Sequence, residues 1–501
     1  QDPPREREAG TRRLAYGLVA IIAVGAVAAW IHWHPAARRD AAASAGSVEM
    51  PERSIAVLPF IDISEKHDQE YLAEGLAEQI RDELAHFPAL KVIGRASSFQ
   101  FRGASQDIRH VGAALGVAYV LEGSVRRDGG RIRVTAQLGS ALDGRSRWSN
   151  TYEVAAEDVF KLQDSVAADL AHDLSLTVAD IEPLHRDMRP EAYDLYLRAR
   201  QLMDSLREED VGRGVAAMEE AARLDPGSAR IQADLAMNYV AFAVNGWGPA
   251  ADGYANARRH ALAALQLDPG IGEAHVALAA IAANYDWDWA RARAEIEAGE
   301  RLAPRSPFVL FFAATGYSIW GDYARARQYA ERLLAQDPLS FAAELVLGAR
   351  ICLRTGDYAC AEQHLRRAHQ IRPGFQAVTW YLALTLLMQE RYADALAASQ
   401  ELRESEGRDA IASMALHALH RSQESDAALK RATAELQEIW PYAIAQVHAY
   451  RGEADPAMAW LERAYRARDI DLWMIRDDPM FKGVSRDPRF LSFMDMMKLS
   501  S

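Results

Sequence analysis

The apolar positions of this chain follow three successive patterns. Leu14 to Ile31 is a run of eighteen residues without formal charge. At about 1.5 Å per residue it reaches about 27 Å, close to the roughly 30 Å of a bilayer's hydrocarbon core, so the pattern predicts a transmembrane helix over 14–33, with Trp30, His32 and Trp33 at an interface. From Ser54 strand-like and helix-like periods alternate. Ser54-Ile-Ala-Val-Leu-Pro-Phe60 is a buried-strand run, and Leu72, Leu76, Ile80 and Leu84 fall at four-residue steps on one face of a helix from Tyr71 to Phe87. A short apolar segment follows at Leu90 to Ile93, and Ile108, Val111 and Leu115 mark a second helix. Strands at Ala118 to Arg127 and Ile132 to Leu138 meet at Asp128-Gly-Gly130, where glycine supplies the positive φ of a tight hairpin. A strand around Trp148 to Val154 and a helix from Asp158 to about Leu176 complete a small α/β domain over 54–178.

From Glu191 the pattern is helical and repeats itself. Pro226, Pro269, Pro304, Pro338 and Pro373 end successive units at separations of 43, 35, 34 and 35 residues. That period is the signature of tetratricopeptide repeats, pairs of helices stacked into a superhelix. Gly321-Asp-Tyr323 recurs as Gly356-Asp-Tyr358 and Glu390-Arg-Tyr392 at the turn inside each unit, and Ala326, Ala361 and Ala395 let the paired helices approach closely. About eight repeats are expected over 191–470, the last two degenerate, with 471–501 capping the exposed end. The extra length before Pro269 falls in the Gly-rich stretch Val244 to Tyr254, an insertion at a turn.

At these residues a resemblance to the TolB-like amino-terminal domain becomes plain. It is carried by Ile55-Ala-Val-Leu-Pro-Phe60, Glu74-Gly-Leu76, Arg95-Ala-Ser-Ser-Phe99, Tyr119-Val-Leu-Glu-Gly-Ser-Val-Arg126, Trp148 and Phe160-Lys-Leu-Gln163, in order over about 54–176. The resemblance implies a sensory or scaffolding body between a membrane helix and tetratricopeptide repeats. It also implies a cytoplasmic side that often carries a winged helix, a nucleotide cyclase or a kinase. The fold class is therefore expected to be multidomain: N-terminal transmembrane helix, TolB-like α/β domain, all-α superhelix.

Charge orients this plan. Arg5, Arg7, Arg12 and Arg13 precede the apolar run and only Arg38 and Arg39 closely follow it, which puts residues 1–13 in the cytoplasm and the body, after a linker at 34–53, in the periplasm of a bacterial inner membrane. A cleaved signal peptide, with Ala41 to Ala45 near the cut, is the competing reading. The first residue is Gln1, so an upstream segment is expected. A net charge of −13 argues against a nucleic-acid surface on this body.

GxGxxG, the P-loop, GxSxG and HExxH are missing, so an enzyme, a cofactor and a metal are not expected. His32-Trp-His34 reads as an interfacial anchor and Asp286-Trp-Asp-Trp289 as packing at a repeat turn. Cys352 and Cys360 flank the turn at Gly356 by four residues each, so an antiparallel helix pair brings them level, either bonded or as two packed thiols. The partner is expected to be a protein or peptide, with membrane contact through Leu14 to Ile31 and homo-oligomerisation left open. Its groove is the concave face lined by first helices: Asn284 and Tyr285, Phe308 and Phe311, Arg350 and Arg354, and Trp380. Arg350 and Arg354 are expected to be exposed there, so that replacing both weakens capture with little loss of stability. The function expected from these features is that of a membrane-anchored, extracytoplasmic peptide-binding scaffold or sensor. Its alternatives are the regulatory portion of a nucleotide cyclase or transcription regulator, and a structural subunit of a membrane assembly.

Overall fold

The structure, a computed structural model, describes residues 51–499 except 52, 86, 88, 104–106, 175, 177–187, 205–207 and 245–246. The apolar run Leu14 to Ile31 and His32-Trp-His34 lie outside the described residues. Among the described residues no helix is long and apolar enough to cross a membrane, and the membrane-helix component of the expected fold class is corrected accordingly. The physical reason is charge on one face: even Ala250–Leu267, a helix of 18 residues, carries Asp252, Arg258 and Arg259.

The α/β domain is built on a mixed sheet ordered β3-β1-β4-β5-β6, with β2 (Ile61–Asp62) beside β4. β1 (Ser54–Val57) pairs in parallel with β3 (Lys91–Val92) and with β4 (Tyr119–Asp128), so its apolar run is buried on both faces, as parallel strands require. β4, β5 (Arg131–Ser140) and β6 (Ser146–Ala155) form an antiparallel meander, and the Asp128–Arg131 hairpin turns on Gly129 at φ 58°. Helices α1 (Glu70–Ala85) and α4 (Val159–Asp173) cover one face; the short α2 (Arg95–Ser98) and α3 (Ile108–Leu115) lie on the other side of β1 and β4. On the meander Arg131 and Arg133 both pair with Glu153, at 2.7 and 2.6 Å.

Eight helix pairs follow among the described residues, from Pro190–Asp204 with Glu208–Leu224 to Pro441–Tyr450 with Ala454–Ala467. The turn inside a pair repeats one geometry. Trp287, Gly321, Gly356, Glu390, His420 and Gly452 each adopt positive φ, between 54° and 80°. In three of these turns the next residue, Asp288, Asp322 or Asp357, caps the second helix by accepting a backbone N–H at 3.1 Å. Ala326, Ala361 and Ala395 are fully buried between the paired helices. The first helices of repeats three and five widen into π-helix over Ala282–Asp286 and Val346–Cys352.

The α/β domain packs on the superhelix at two places. Tyr193, Tyr196 and Leu197 of the first repeat join the core under α1, where Gly75 lies so close to Leu197 that a Cβ would overlap it. Around this contact Glu78, with a side chain only 4% exposed, meets Arg200, Arg95 at 3.1 Å and Arg81 at 3.9 Å. The second contact joins α2 to the loop between repeats four and five. Gly94 N donates to the Gln336 carbonyl at 2.7 Å, Ser97 N to Asp337 Oδ1 at 2.6 Å, and Leu339 N to Ser97 Oγ at 2.6 Å.

Burial works against the Glu78 charge, but Arg200, then Arg95 and Arg81, overcome it and hold the carboxyl down at about 2. A depressed carboxyl stabilises the fold fully above its ordinary range, and that contribution is lost as pH falls from about 4.5 toward 2. Glu78→Gln leaves buried guanidinium groups without their counter-charge and is expected to cost about 3–5 kcal/mol at neutral pH. Denaturant melts at pH 7 and pH 3 check this: the variant loses stability at pH 7 and shows a shallower acid decline than the wild type.

Candidate functional site

The inside of the superhelix is filled by the chain's own C-terminal segment. After the last repeat Asp469, Asp478 and Asp487 cap three short helices in turn: 3-10 turns at Ile470–Met474 and Pro479–Gly483, then an α-helix at Pro488–Met496. This segment touches repeats three, four, five, six and eight, a set that only the inside of a closed superhelical turn can present together. Repeats eight and three do meet: Tyr465 packs on Trp287 with ring centres 5.0 Å apart, and Arg468 donates to the Tyr285 carbonyl at 2.5 Å.

The segment is held largely by its main chain. Trp289 Nε1 donates to the Met497 carbonyl at 2.7 Å in a buried contact, and Arg354 donates to the carbonyls of Met474 and, at 3.3 Å, Arg476. In return Arg476 donates to the Trp320 carbonyl at 3.0 Å, and the Tyr323 hydroxyl donates to Asp477 at 2.9 Å. Asp478 is the polar centre. It accepts from the Tyr442 hydroxyl at 2.7 Å and Gln446 Nε2 at 2.8 Å and lies 3.6 Å from Arg354, the pair's side chains being 2% and 6% exposed. Burial works against the Arg354 charge, but Asp478 outweighs it and raises the group above its ordinary value.

Arg350 is treated differently. Its Nη1 lies 3.4 Å from the Met474 sulfur and its guanidinium 4.4 Å from the centre of the Trp473 ring. Burial lowers its proton affinity, opposed by Tyr381 and Asp471. A cavity of about 10 Å³ sits at this junction, lined by Arg350, Arg354, Arg476 and Tyr323 and by apolar groups of the segment.

Of the residues expected in a partner groove, Arg350 and Arg354 do face the inside of the superhelix, in the fifth repeat's first helix. Trp473 to Asp478 cover the Arg354 side chain almost wholly and Arg350 in part, and the expectation that both are exposed is corrected. Their joint replacement should be strongly destabilising. Trp380 is 3% exposed and packs on Trp440, with ring centres 4.6 Å apart, as core. Tyr285 stacks on Tyr254 at 5.0 Å beside the half-buried Asn284, and Phe311 lies edge-on to Phe312 at 5.2 Å. Phe308, 45% exposed, starts its helix at the solvent side. Cys352 and Cys360 are joined by a disulfide with Cα atoms 5.7 Å apart, tying the two helices of the fifth repeat. Bonded to each other, they offer no thiolate to a metal, although His364 lies beside them with Nδ1 2.5 Å from Glu344.

Trp289 and Tyr323, at the start of second helices, also hold the segment, as do Tyr381, Tyr442 and Gln446 on first helices, and the sequence reading placed none of the five in the groove. The signal available was the tail itself: Leu472-Trp-Met-Ile475 followed by Arg476-Asp-Asp478 is too apolar for an exposed cap.

No protein-family model matches the chain. Over 231 residues, 45% of the chain, the sequence is 36% identical to "Putative adenylate cyclase 3" of Rhizobium meliloti (strain 1021), and the match spans 39% of that protein's length. Among solved structures the chain is similar to PilW, a type IV pilus biogenesis factor, at 19% identity, TM-score 0.37, over 44% of this chain and 97% of that one. It is similar to a tetratricopeptide repeat protein from Parabacteroides merdae at 14% identity, TM-score 0.36, over 50% and 97%. For the Cut9–Hcn1 structure the values are 14%, 0.42, 58% and 55%. Scores this low add nothing to the helix-pair geometry described above.

Burial, with the neighbouring Asp471 carboxylate, pushes Asp469 up to about 7, against the Tyr442 and Asp471 backbone N–H groups that it accepts. A raised carboxyl holds its proton in the folded state, so stability falls as pH rises from about 4 toward 7, by at most about 1.4 kcal/mol per pH unit for one proton. Asp469→Asn keeps an acceptor oxygen and removes the charge. Thermal melts at pH 5 and pH 8 are expected to show the wild type less stable at pH 8 and the variant nearly level.

Proposed function

We propose that this chain is a protein-binding scaffold without catalysis of its own, whose superhelix holds a protein segment along the inside of repeats three to eight. One observation carries this: that surface already holds such a segment. Trp289 and Arg354 donate to main-chain carbonyls at Met497 and Met474, and a surface that grips the main chain holds segments of more than one sequence. The resident 470–499 is then an internal occupant of the site where a partner segment binds. The α/β domain, which carries the TolB-like resemblance, is fastened to the first repeat and to the loop before the fifth.

A second reading makes the chain the regulatory portion of a nucleotide cyclase. It is favoured by the likeness to "Putative adenylate cyclase 3" over 231 residues. The two readings agree, since a scaffold of this kind supplies recognition and leaves chemistry to another domain.

A fluorescent peptide reproducing residues 470–484 tests the first reading when titrated into the full chain. Saturable binding is expected, strengthened about tenfold by Asp478→Asn, which loosens the resident segment (about 1.4 kcal/mol). A peptide that binds neither the wild type nor the variant would sink the proposal. Cyclic nucleotide output of the polypeptide in which this chain occurs, with and without Asp478→Asn, tests the second: unchanged output removes it.

A further inference from the structure

The cavity beneath the C-terminal segment is lined by cationic side chains. Arg350, Arg354 and Arg476 converge on it with Tyr323, and no acidic residue lines it. The nearby acids each answer one of these groups. Asp478 is shared among Tyr442, Gln446 and Arg354; Asp477 accepts from Tyr323; burial raises Asp471 and so disfavours its charged form, against the pull of Arg350. Arg476 spends its donors on the Leu499 and Trp320 carbonyls.

Arg350 is left with the poorest set. A guanidinium carries five N–H donors in a planar fork that matches a carboxylate. Here its described contacts are a thioether sulfur, a weak acceptor, and the face of an indole ring. A half-buried cation so served keeps N–H donors for a further acceptor. The cavity beside it, about 10 Å³, is the space of roughly one water, and it communicates with the surface, so an oxygen can enter while the group bearing it stays outside.

We propose that this cavity is a carboxylate-binding site, in which one oxygen of an acidic group enters beside the Arg350 guanidinium and the other stays at its mouth, with Arg354, Arg476 and the Tyr323 hydroxyl around the pair. The proposal deepens the protein-binding reading: Arg350, Arg354 and Tyr323 belong to the superhelix and stay when the resident segment leaves, so an aspartate or glutamate side chain is the feature they recognise in a partner segment. Its small-molecule form holds independently: a free carboxylate should bind whether or not a partner segment does.

The test uses the full chain and acetate enriched in carbon-13, with line broadening of the carboxyl resonance as readout, against acetamide as the neutral isostere. Broadening by acetate and not by acetamide is expected. Arg350→Met, which keeps the apolar stem, should abolish it, and Arg350→Lys, which keeps the charge without the fork, should weaken it about threefold or more. Equal broadening in the wild type and the lysine variant, or by acetate and acetamide, overturns the site even if the methionine variant fails to fold. A tetrapeptide containing one aspartate, run as a competitor, separates the sources. Competition at least ten times stronger than unlabelled acetate assigns the site to a partner's acidic residue, and equal competition assigns it to a free carboxylate. If acetate binds while the 470–484 peptide does not, the carboxylate site stands and the protein-binding reading falls.

Discussion

Everything in the superhelix depends on how each helix pair turns. In repeats three to eight the chain reverses at a residue with positive φ, and the next residue caps the second helix wherever it is aspartate. Glycine takes that backbone without strain at Gly321, Gly356 and Gly452. Trp287, Glu390 and His420 take it at a cost of about 1–2 kcal/mol each. They hold it because the helices on either side bury fully occluded alanines and aromatic rings, and that burial outweighs the local strain. The same kind of turn, repeated every 30 to 35 residues, gives a roughly regular pitch. The pitch brings the eighth repeat back to the third, where Tyr465 meets Trp287, and a surface closed on itself in this way has an inside that must be filled.

Two buried charges show how differently such an interior can treat a charged group. Glu78 sits among three arginines and stays ionised well below the ordinary carboxyl range, so it binds the α/β domain to the first repeat wherever the pH leaves it charged. Arg350 sits beneath Trp473 and Met474 with its proton affinity lowered by burial. The first arrangement is complete as it stands. The second is complete only as far as apolar and weakly polar contacts can make it, which is why the same physics reads as structure in one place and as a binding surface in the other.

Much of this was legible in the residues. The helices at 71–87 and 108–115, the hairpin at Asp128-Gly-Gly130 and the strands around it follow from apolar period and turn chemistry, and the structure places them within a few residues. The proline spacing and the recurring Gly-Asp-Tyr exposed the repeat, and the four-residue offsets of Cys352 and Cys360 from Gly356 made their proximity readable. The groove was legible in outline only. First-helix register pointed to Arg350 and Arg354, but register is silent about what lies opposite, and the occupant comes from more than a hundred residues further along the chain. Trp380 shows the same limit: an aromatic on a first helix reads equally as anchor or core, and its neighbour Trp440 decides the matter.

The two fastenings of the molecule converge on the fifth repeat. Its first helix begins at Phe341, two residues after Leu339, whose backbone N–H is held by Ser97 of the α/β domain. The same helix then widens into the π-helical stretch that carries Arg350 toward the C-terminal segment, and ends near Arg354. One end of a single helix therefore answers to the α/β domain and the other to whatever occupies the groove. The disulfide at Cys352 and Cys360 ties that helix to its partner, so a shift of the occupied end cannot be absorbed by the two helices sliding apart. Interiors packed at this density deform little locally, so the Ser97 contact and the groove contacts are held at a fixed spacing along one helix.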